Sequence, residues 1–466
     1  MKIARLDRML WLPLRLVDDK KIKDETTLVT KSDYAGRPKK LILWETKTLD
    51  EETWIGVPRR WGLQQKWLTQ GFRIIDETIS DSRGWPEIQI DRYWKGQEES
   101  INSIVRHYSG SSYSGALLEA PCGSGKTLMG SAIAAKLHAP TLVVVHKEDL
   151  AWQWHKTIKM CFRGAKLGHV QGDKWNFAER HMVTATAQTL YRRMDRLPPN
   201  FLDSFGMVIY DEGHRYPAQT FERVLRMFPS AYRLGVSATW RRKDGMECIW
   251  DWHVGRVEWR TAATRLTGSF AQIPWSTRLY DSMFKTYGRI NHTSWVSAIS
   301  ENDAYNAWLA EELSKGAEAG RKLLLVSDRI DQLRNLQQRI IRKGGGVTVG
   351  LYVGAIDNKR LTTEELDTAK TCDIILASYG MMAEGTDIPS LDTLFLGTPR
   401  VDVEQVVGRI QRHKDGKKNL LIVDPVFQTP YCIALARKRR RIYETLDFKD
   451  HTHGKKSCTQ DSETLE

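Results

Sequence analysis

The stretch ALLEAPCGSGKT, residues 116–127, constrains the fold of this chain more than any other segment. An apolar run enters a glycine-rich turn, and a helix-forming stretch follows over 128–137. Such a strand–turn–helix points the helix N-terminus, with its unpaired N–H groups, at whatever the turn encloses. Gly123, Ser124 and Gly125 form the turn, and the two glycines let backbone N–H groups approach phosphate oxygens closely. Lys126 can reach the β- and γ-phosphates of a nucleotide, and the Thr127 hydroxyl can hold Mg2+. The general pattern places glycine six residues before the lysine, where this chain has Ala120.

A phosphate loop of this kind sits on a parallel sheet, and the flanking sequence alternates accordingly. Strand-like runs at 116–119, 141–145, 181–185 and 207–210 are separated by helical stretches, which implies βαβ units. A second series begins after about residue 264, with strands expected at 323–327, 347–352, 374–378, 394–397 and 420–423. Residues 1–90 differ. Short runs at 27–30, 40–45 and 54–57, with turn material at 34–38, predict a small sheet with short connections. The expected division is therefore 1–90, 91–264, 265–449 and a polar, aperiodic, disordered tail at 450–466. Residues 280–300 read as an insertion before the second series.

The run MVIYDEGH, residues 207–214, is an apolar strand ending in two acids. Asp211 can hold Mg2+ beside the phosphates, and Glu212 can polarise an attacking water. His214 can couple that site to a neighbouring segment. A strand end capped by turn acids is the plain alternative, but DE here follows Lys126 by 85 residues (211 − 126) in a tandem α/β chain.

AxxGxGKT followed by DEGH resembles motifs I and II of the superfamily 2 helicases and translocases, and further stretches of the chain match that family in order. Ser237-Ala238-Thr239 resembles motif III, which links hydrolysis to nucleic-acid contact. His146 and Lys147 occupy the place of motif Ia, and TAQTL, with Thr186, Gln188 and Thr189, is similar to motif Ib; both are nucleic-acid contacts in the family. The strand at 323–327 with Asp328 resembles motif IV. AEGTDIP, with Gly385 and Asp387, resembles motif V, and QVVGRIQR, with Gln405, Arg409 and Arg412, matches motif VI. Gln97 stands where the family reads adenine.

The resemblance covers about residues 91–430. It implies two tandem RecA-like parallel-sheet domains preceded by a small α+β domain, within the α/β class. It also implies ATP and Mg2+ as cofactors. Arg409 and Arg412, three apart on one helix face, are expected to stabilise charge on the transferred phosphoryl group. RLGVSATWRRKDG and VPRRWG are similar to segments of the XPB-like and UvsW-like DNA helicases, which implies a fork- or junction-remodelling DNA motor. A double-strand translocase without strand separation and an RNA helicase are the alternatives. Recombination or replication proteins as partners, a monomer, and a cytoplasmic, nucleoid-associated location in a bacterial or phage-infected cell belong to the same expectation.

Composition agrees with a polyanion-binding globular chain. It has 466 residues, 41% hydrophobic and 27% charged, with a formal charge of +13. This excludes a disordered, collagen-like or pure coiled-coil chain. No apolar run approaches the roughly 18 residues of a membrane span, and charges interrupt the first twenty residues in a way no signal peptide shows. The six cysteines are scattered without a CxxC pair, as expected of free thiols in a reducing compartment. Residues 400–449 carry 12 Lys/Arg and 6 Asp/Glu, a net of +6, densest in RKRRR at 437–441. Arg437, Lys438 and Arg439 are candidate phosphate contacts; a solvated face, or basic stems over apolar surface, is the plain alternative. Asp33 followed by Glu45-Thr-Lys47 mimics a nuclease core, but it reads better as a hairpin leading into VPRRWG.

Overall fold

The computed structural model describes residues 2–29, 40–49, 51–90, 93, 96–110, 115–121, 123–213, 218–240, 245–261, 266–286, 289–357, 359–383, 388–411 and 416–451. The expected turn at 34–38, Asp33 and most of the polar tail lie outside these residues. The chain divides into two compact units, Met1–Ala263 and Thr264–Glu466.

Among the described residues the first unit holds two larger sheets and a two-stranded antiparallel one, Thr27–Val29 with Lys40–Ile42. In the N-terminal one the order is Glu45–Leu49, Glu52–Val57, Leu10–Pro13, Lys2–Leu6, Phe72–Asp76. Neighbours are antiparallel except the last pair. The strand LWLP is buried on both faces because its side chains alternate between two clusters. Leu10 and Leu12 join Ile55 and Val57, while Trp11 packs with Met9 and Trp54. Of the stretch that mimics a nuclease core, Glu45–Lys47 lies in a hairpin, Glu45–Leu49 paired with Glu52–Val57. Glu45 is paired with Arg8 and Arg226, and the Lys47 ammonium lies 3.8 Å from the Trp11 ring centroid.

The larger sheet of this unit has eight strands, in the order Lys174–Asn176, Leu167–Gln171, Met182–Thr186, Thr141–Val145, Met207–Asp211, Tyr232–Ser237, Gly115–Glu119, Val257–Arg260. All neighbours are parallel except the first pair. A parallel sheet is covered by helices on both faces, so its strands are continuously apolar. Thr141–Val145 shows this: Leu142 and Val144 enter one core, Val143 and Val145 the other. The two sheets are joined through buried polar contacts. Arg59 Nη1 donates to the Ser230 carbonyl at 2.7 Å, and Arg233 Nη2 to the Arg8 carbonyl at 2.9 Å. Both guanidinium groups are buried, and each finds backbone oxygen there.

The second unit is built on seven parallel strands, ordered Val349–Tyr352, Ile374–Ser378, Leu323–Ser327, Thr393–Leu396, Leu420–Phe427, Gly268–Trp275, Phe448–Asp450. The five strands expected from sequence are present. Gly268–Trp275 and Phe448–Asp450 are additional: the former mixes Ser, Gln and Pro with its apolar residues, and the latter has three residues. The insertion at 280–300 contains the helix His292–Glu301 and a pair of two-residue antiparallel strands, Lys285–Thr286 and Arg289–Ile290. Among the described residues no helix is long and apolar enough to cross a membrane.

Candidate functional site

The site residues of the first unit gather for a reason of register. In a parallel sheet all strands end on the same edge, and ligands bind there. Asp211 is level with Val236, Ser237 with Glu119, and Thr186 with Val145. Motifs far apart in sequence therefore share one rim.

The phosphate loop leaves Glu119 and enters the helix Lys126–Lys136. Gly123 and Gly125 both take left-handed backbone angles, φ 82° and 83°. Glycine adopts these without steric cost. At Gly125 space also decides: an added Cβ would lie 2.3 Å from Gln97 Nε2. Gln97 is buried at the start of the helix Gln97–Gly110, and its amide donates to the Ser124 carbonyl at 2.8 Å. The expected adenine-reading residue thus lies against the phosphate loop. The Ser124 hydroxyl donates to the Pro121 carbonyl at 2.7 Å.

Lys126 carries its ammonium 2.7 Å from Glu212 Oε1 and 3.3 Å from the Ala120 carbonyl. Asp211 is buried, and its Oδ2 accepts from the Trp154 indole N–H at 2.8 Å. Burial drives the Asp211 carboxyl upward from the ordinary carboxylate range; the Glu212 charge adds to the shift and Lys126 opposes it. Glu212 has φ 51°, a strained conformation for a residue with a side chain, and its N–H donates to the Val236 carbonyl at 2.9 Å. Ser237 Oγ lies 3.3 Å from Glu212 Oε2 and 2.7 Å from the Thr239 carbonyl, so motif III touches motif II directly. Ala238 lies between them in sequence, half-buried. Thr127 opens the helix beside this cluster.

Gly213 follows Glu212 for a packing reason. A Cβ there would lie 1.7 Å from Trp250 Cζ2, and that ring is held edge-on against Trp240 and Tyr210. Gly213→Ala is expected to cost at least about 1–3 kcal/mol through overpacking. Urea unfolding tests this, and an unchanged midpoint would show that the ring can yield.

Four residues expected at the site, His214, Gly385, Asp387 and Arg412, lie outside the described residues. Lys147 is exposed and His146 half-buried at the end of the strand Thr141–Val145. Thr186 is almost buried and caps the helix Ala187–Arg193, accepting from the Thr189 N–H at 3.1 Å; Gln188 is exposed on that helix.

In the second unit Gln405 is half-buried on the helix Glu404–Ile410. Arg409, on the same helix, is buried, and its Nε donates to the Met382 carbonyl at 2.8 Å. Met382 belongs to the helix Tyr379–Ala383, just ahead of the AEGTDIP segment.

Arg439 corrects an expectation. It is no phosphate contact, being 1% exposed and bound through Nε and Nη2 to both oxygens of Asp424 at 2.9 and 2.7 Å. Tyr443 and Gln272 complete the shell of Asp424. The helix Pro430–Thr445 buries one side, and position 439 falls on it with Cys432, Leu435, Ala436 and Tyr443. Arg437, Lys438 and Arg441 are exposed.

Sequence reasoning missed Trp154. Ala151, Trp154 and Ile158 form a buried stripe at helical spacing on Glu148–Cys161, so its burial was legible. Its carboxylate partner, 57 residues away, was not.

Similarities to known proteins run along most of the chain. The family model described as "Type III restriction enzyme, res subunit" matches residues 92–242. The putative ATP-dependent RNA helicase L396 of Acanthamoeba polyphaga mimivirus is 27% identical over 435 residues, covering 88% of this chain and 80% of that one. The DNA 3'-5' translocase XPB2 of Sulfurisphaera tokodaii is 22% identical over 410 residues, covering 78% and 89%. The solved structure of the ATP-dependent Type ISP restriction-modification enzyme LlaBIII bound to DNA shares the fold. Its TM-score is 0.53 at 14% identity, with 78% of this chain matched to 30% of that one. With the family model over its phosphate loop and acid pair, and proteins named as helicases or translocases aligned along most of its length, the chain resembles the superfamily 2 helicases.

Proposed function

We propose that this chain is an ATP-dependent superfamily 2 helicase, a DNA motor that unwinds or branch-migrates forked and junction DNA. The observation that carries the reading is the cluster of Lys126, Asp211, Glu212 and Ser237 on one sheet rim, with the Lys126 ammonium 2.7 Å from Glu212. DNA is favoured because a translocase named for DNA aligns along most of this chain.

The residues present fit a nucleotide with Mg2+. Gly125 keeps the loop backbone free of a Cβ that would collide with Gln97, and a hydroxyl and a carboxylate supply hard oxygen donors. Thr127 and Asp211 would hold the ion, which supplies charge neutralisation at the β- and γ-phosphates. Lys126 binds phosphate oxygen, and a phosphate competes with Glu212 for its ammonium. Glu212 orients and deprotonates the attacking water. By their motifs alone, Arg409, Arg412 and Gln405 are assigned to charge on the transferred group, and Gly385 and Asp387 to nucleotide binding. His214, Ser237, Ala238 and Thr239 pass the state of the acid pair to the nucleic-acid contacts. These contacts are His146, Lys147, Gln188 and Thr189, with Thr186 capping the helix that carries the last two, joined by the exposed Arg437 and Lys438. The small N-terminal sheet selects the DNA structure.

An RNA helicase is the second reading, favoured by the name of the mimiviral relative. Steady-state ATPase rates with matched single-strand DNA, duplex, four-way junction and single-strand RNA decide between them. The expected result is strongest stimulation by the junction. Equal or greater stimulation by RNA would transfer the proposal to RNA, and stimulation by plain duplex alone would make the protein a translocase without strand separation.

A further inference from the structure

We propose that Trp154 is a positioning residue for Asp211: its indole N–H holds the carboxylate in the orientation that receives the metal ion. The proposal rests on the ATP·Mg2+ site described above.

The indole is seated where three elements of the first unit meet. It projects from the helix Glu148–Cys161, its N–H donates to Asp211 Oδ2 at 2.8 Å, and it is 1% exposed. The far edge of the ring faces Gly130 on the helix that starts at Lys126. A Cβ on Gly130 would lie 2.9 Å from Trp154 Cη2 and 3.4 Å from Ile209 Cδ1. A residue with a side chain at 130 would therefore push the ring from its place. The slot is matched to two rings, and its closed end holds a carboxylate.

Filling an apolar slot does not require tryptophan; Phe, Leu or Met would bury comparable surface. Tryptophan adds a single N–H that donates and never accepts. A donor-only partner on one carboxylate oxygen fixes the rotation of the group. Hydrogen bonds of this type, from residues that do not themselves touch the ion, set the affinity of metal sites. The neighbouring Trp152 is a built-in contrast. It is 51% exposed and packs against His155 and His169, away from the acid pair.

The placement also has a mechanical consequence. The helix bearing Trp154 begins immediately after His146 and Lys147, the proposed nucleic-acid contacts. Trp154 lies about two turns further on. A shift of this helix on nucleic-acid binding is delivered to Asp211 through one rigid ring.

The test uses the full chain and Mn2+ with ADP as probes, read by electron paramagnetic resonance of the bound ion, so no turnover is needed. Trp154→Phe keeps a ring in the slot and removes the donor. A second variant places β-(3-benzothienyl)alanine at 154, which keeps both rings and replaces N–H by sulfur. Both are expected to weaken Mn2+ binding in the presence of ADP about 10-fold or more. ADP affinity in EDTA and the unfolding midpoint of the sulfur variant should stay at wild-type values, and Trp152→Phe should change nothing. Wild-type Mn2+ affinity in the sulfur variant would overturn the proposal and leave the proposed function standing. Failure of the wild-type chain to bind Mn2+ with ADP would overturn both.

Discussion

Glu212→Gln lowers steady-state ATP hydrolysis by about 10²- to 10⁴-fold and leaves nucleotide affinity within about threefold of wild type. The magnitude is that of removing a positioned general base. The amide keeps the size of the carboxylate and can still accept from Lys126, whose ammonium is 2.7 Å from Glu212 Oε1. It can also still meet Ser237 Oγ. What it cannot do is take a proton from water. Turnover and binding therefore separate, and fluorescent-nucleotide titration beside a steady-state assay reads both. Lys126→Ala is the contrasting variant. It removes the charge that binds phosphate and takes from Glu212 its 2.7 Å ammonium partner, so affinity and turnover fall together. If Glu212→Gln kept activity within tenfold of wild type, Glu212 would be a counter-ion for Lys126 and the base would have to be sought elsewhere.

Arg439→Ala destabilises the second unit by about 3–5 kcal/mol, the cost of breaking a buried ion pair from one side. Asp424 is fully buried, and the substitution leaves it with Tyr443 and Gln272 as neutral donors. Replacing Arg439 and Asp424 together by leucine removes both charges and should restore much of the loss, because no unpaired charge then remains. Arg437→Ala and Lys438→Ala, on the exposed side of the same helix, should stay within about 0.5 kcal/mol. Urea unfolding of the full chain followed by circular dichroism measures all four. A loss below about 1 kcal/mol for Arg439→Ala would show that water reaches the site.

These two results mark where local sequence suffices and where it does not. GSGKT was legible because the chemistry is local: two glycines, a lysine and a helix start are covalently adjacent, and φ near +80° at Gly123 and Gly125 is their ordinary behaviour. MVIYDEG was legible because a continuous apolar strand ending in acids has few other uses in a parallel sheet. The alternation of strand-like and helical stretches specifies two α/β units by itself. Strand order was not legible, nor were the short or mixed strands Phe448–Asp450 and Gly268–Trp275, since pairing depends on neighbours remote in the chain.

Single side chains show the same limit. RKRRR is one run of like charge in sequence, yet the helix turns Arg439 inward to Asp424 and leaves Arg437 and Lys438 outward. Thr186 lies in a stretch that resembles a nucleic-acid contact, and in the fold its hydroxyl caps a helix. Trp154 was identifiable as core from its spacing, while its N–H found a carboxylate 57 residues away. Sequence by itself determined the fold class, the phosphate loop and the acid pair, because periodicity and glycine geometry act over a few adjacent residues. Only the tertiary structure decided which arginine is buried, what holds Asp211 and why Gly213 must be glycine. Those outcomes are set by the shape and polarity of surfaces that exist only after distant segments have packed.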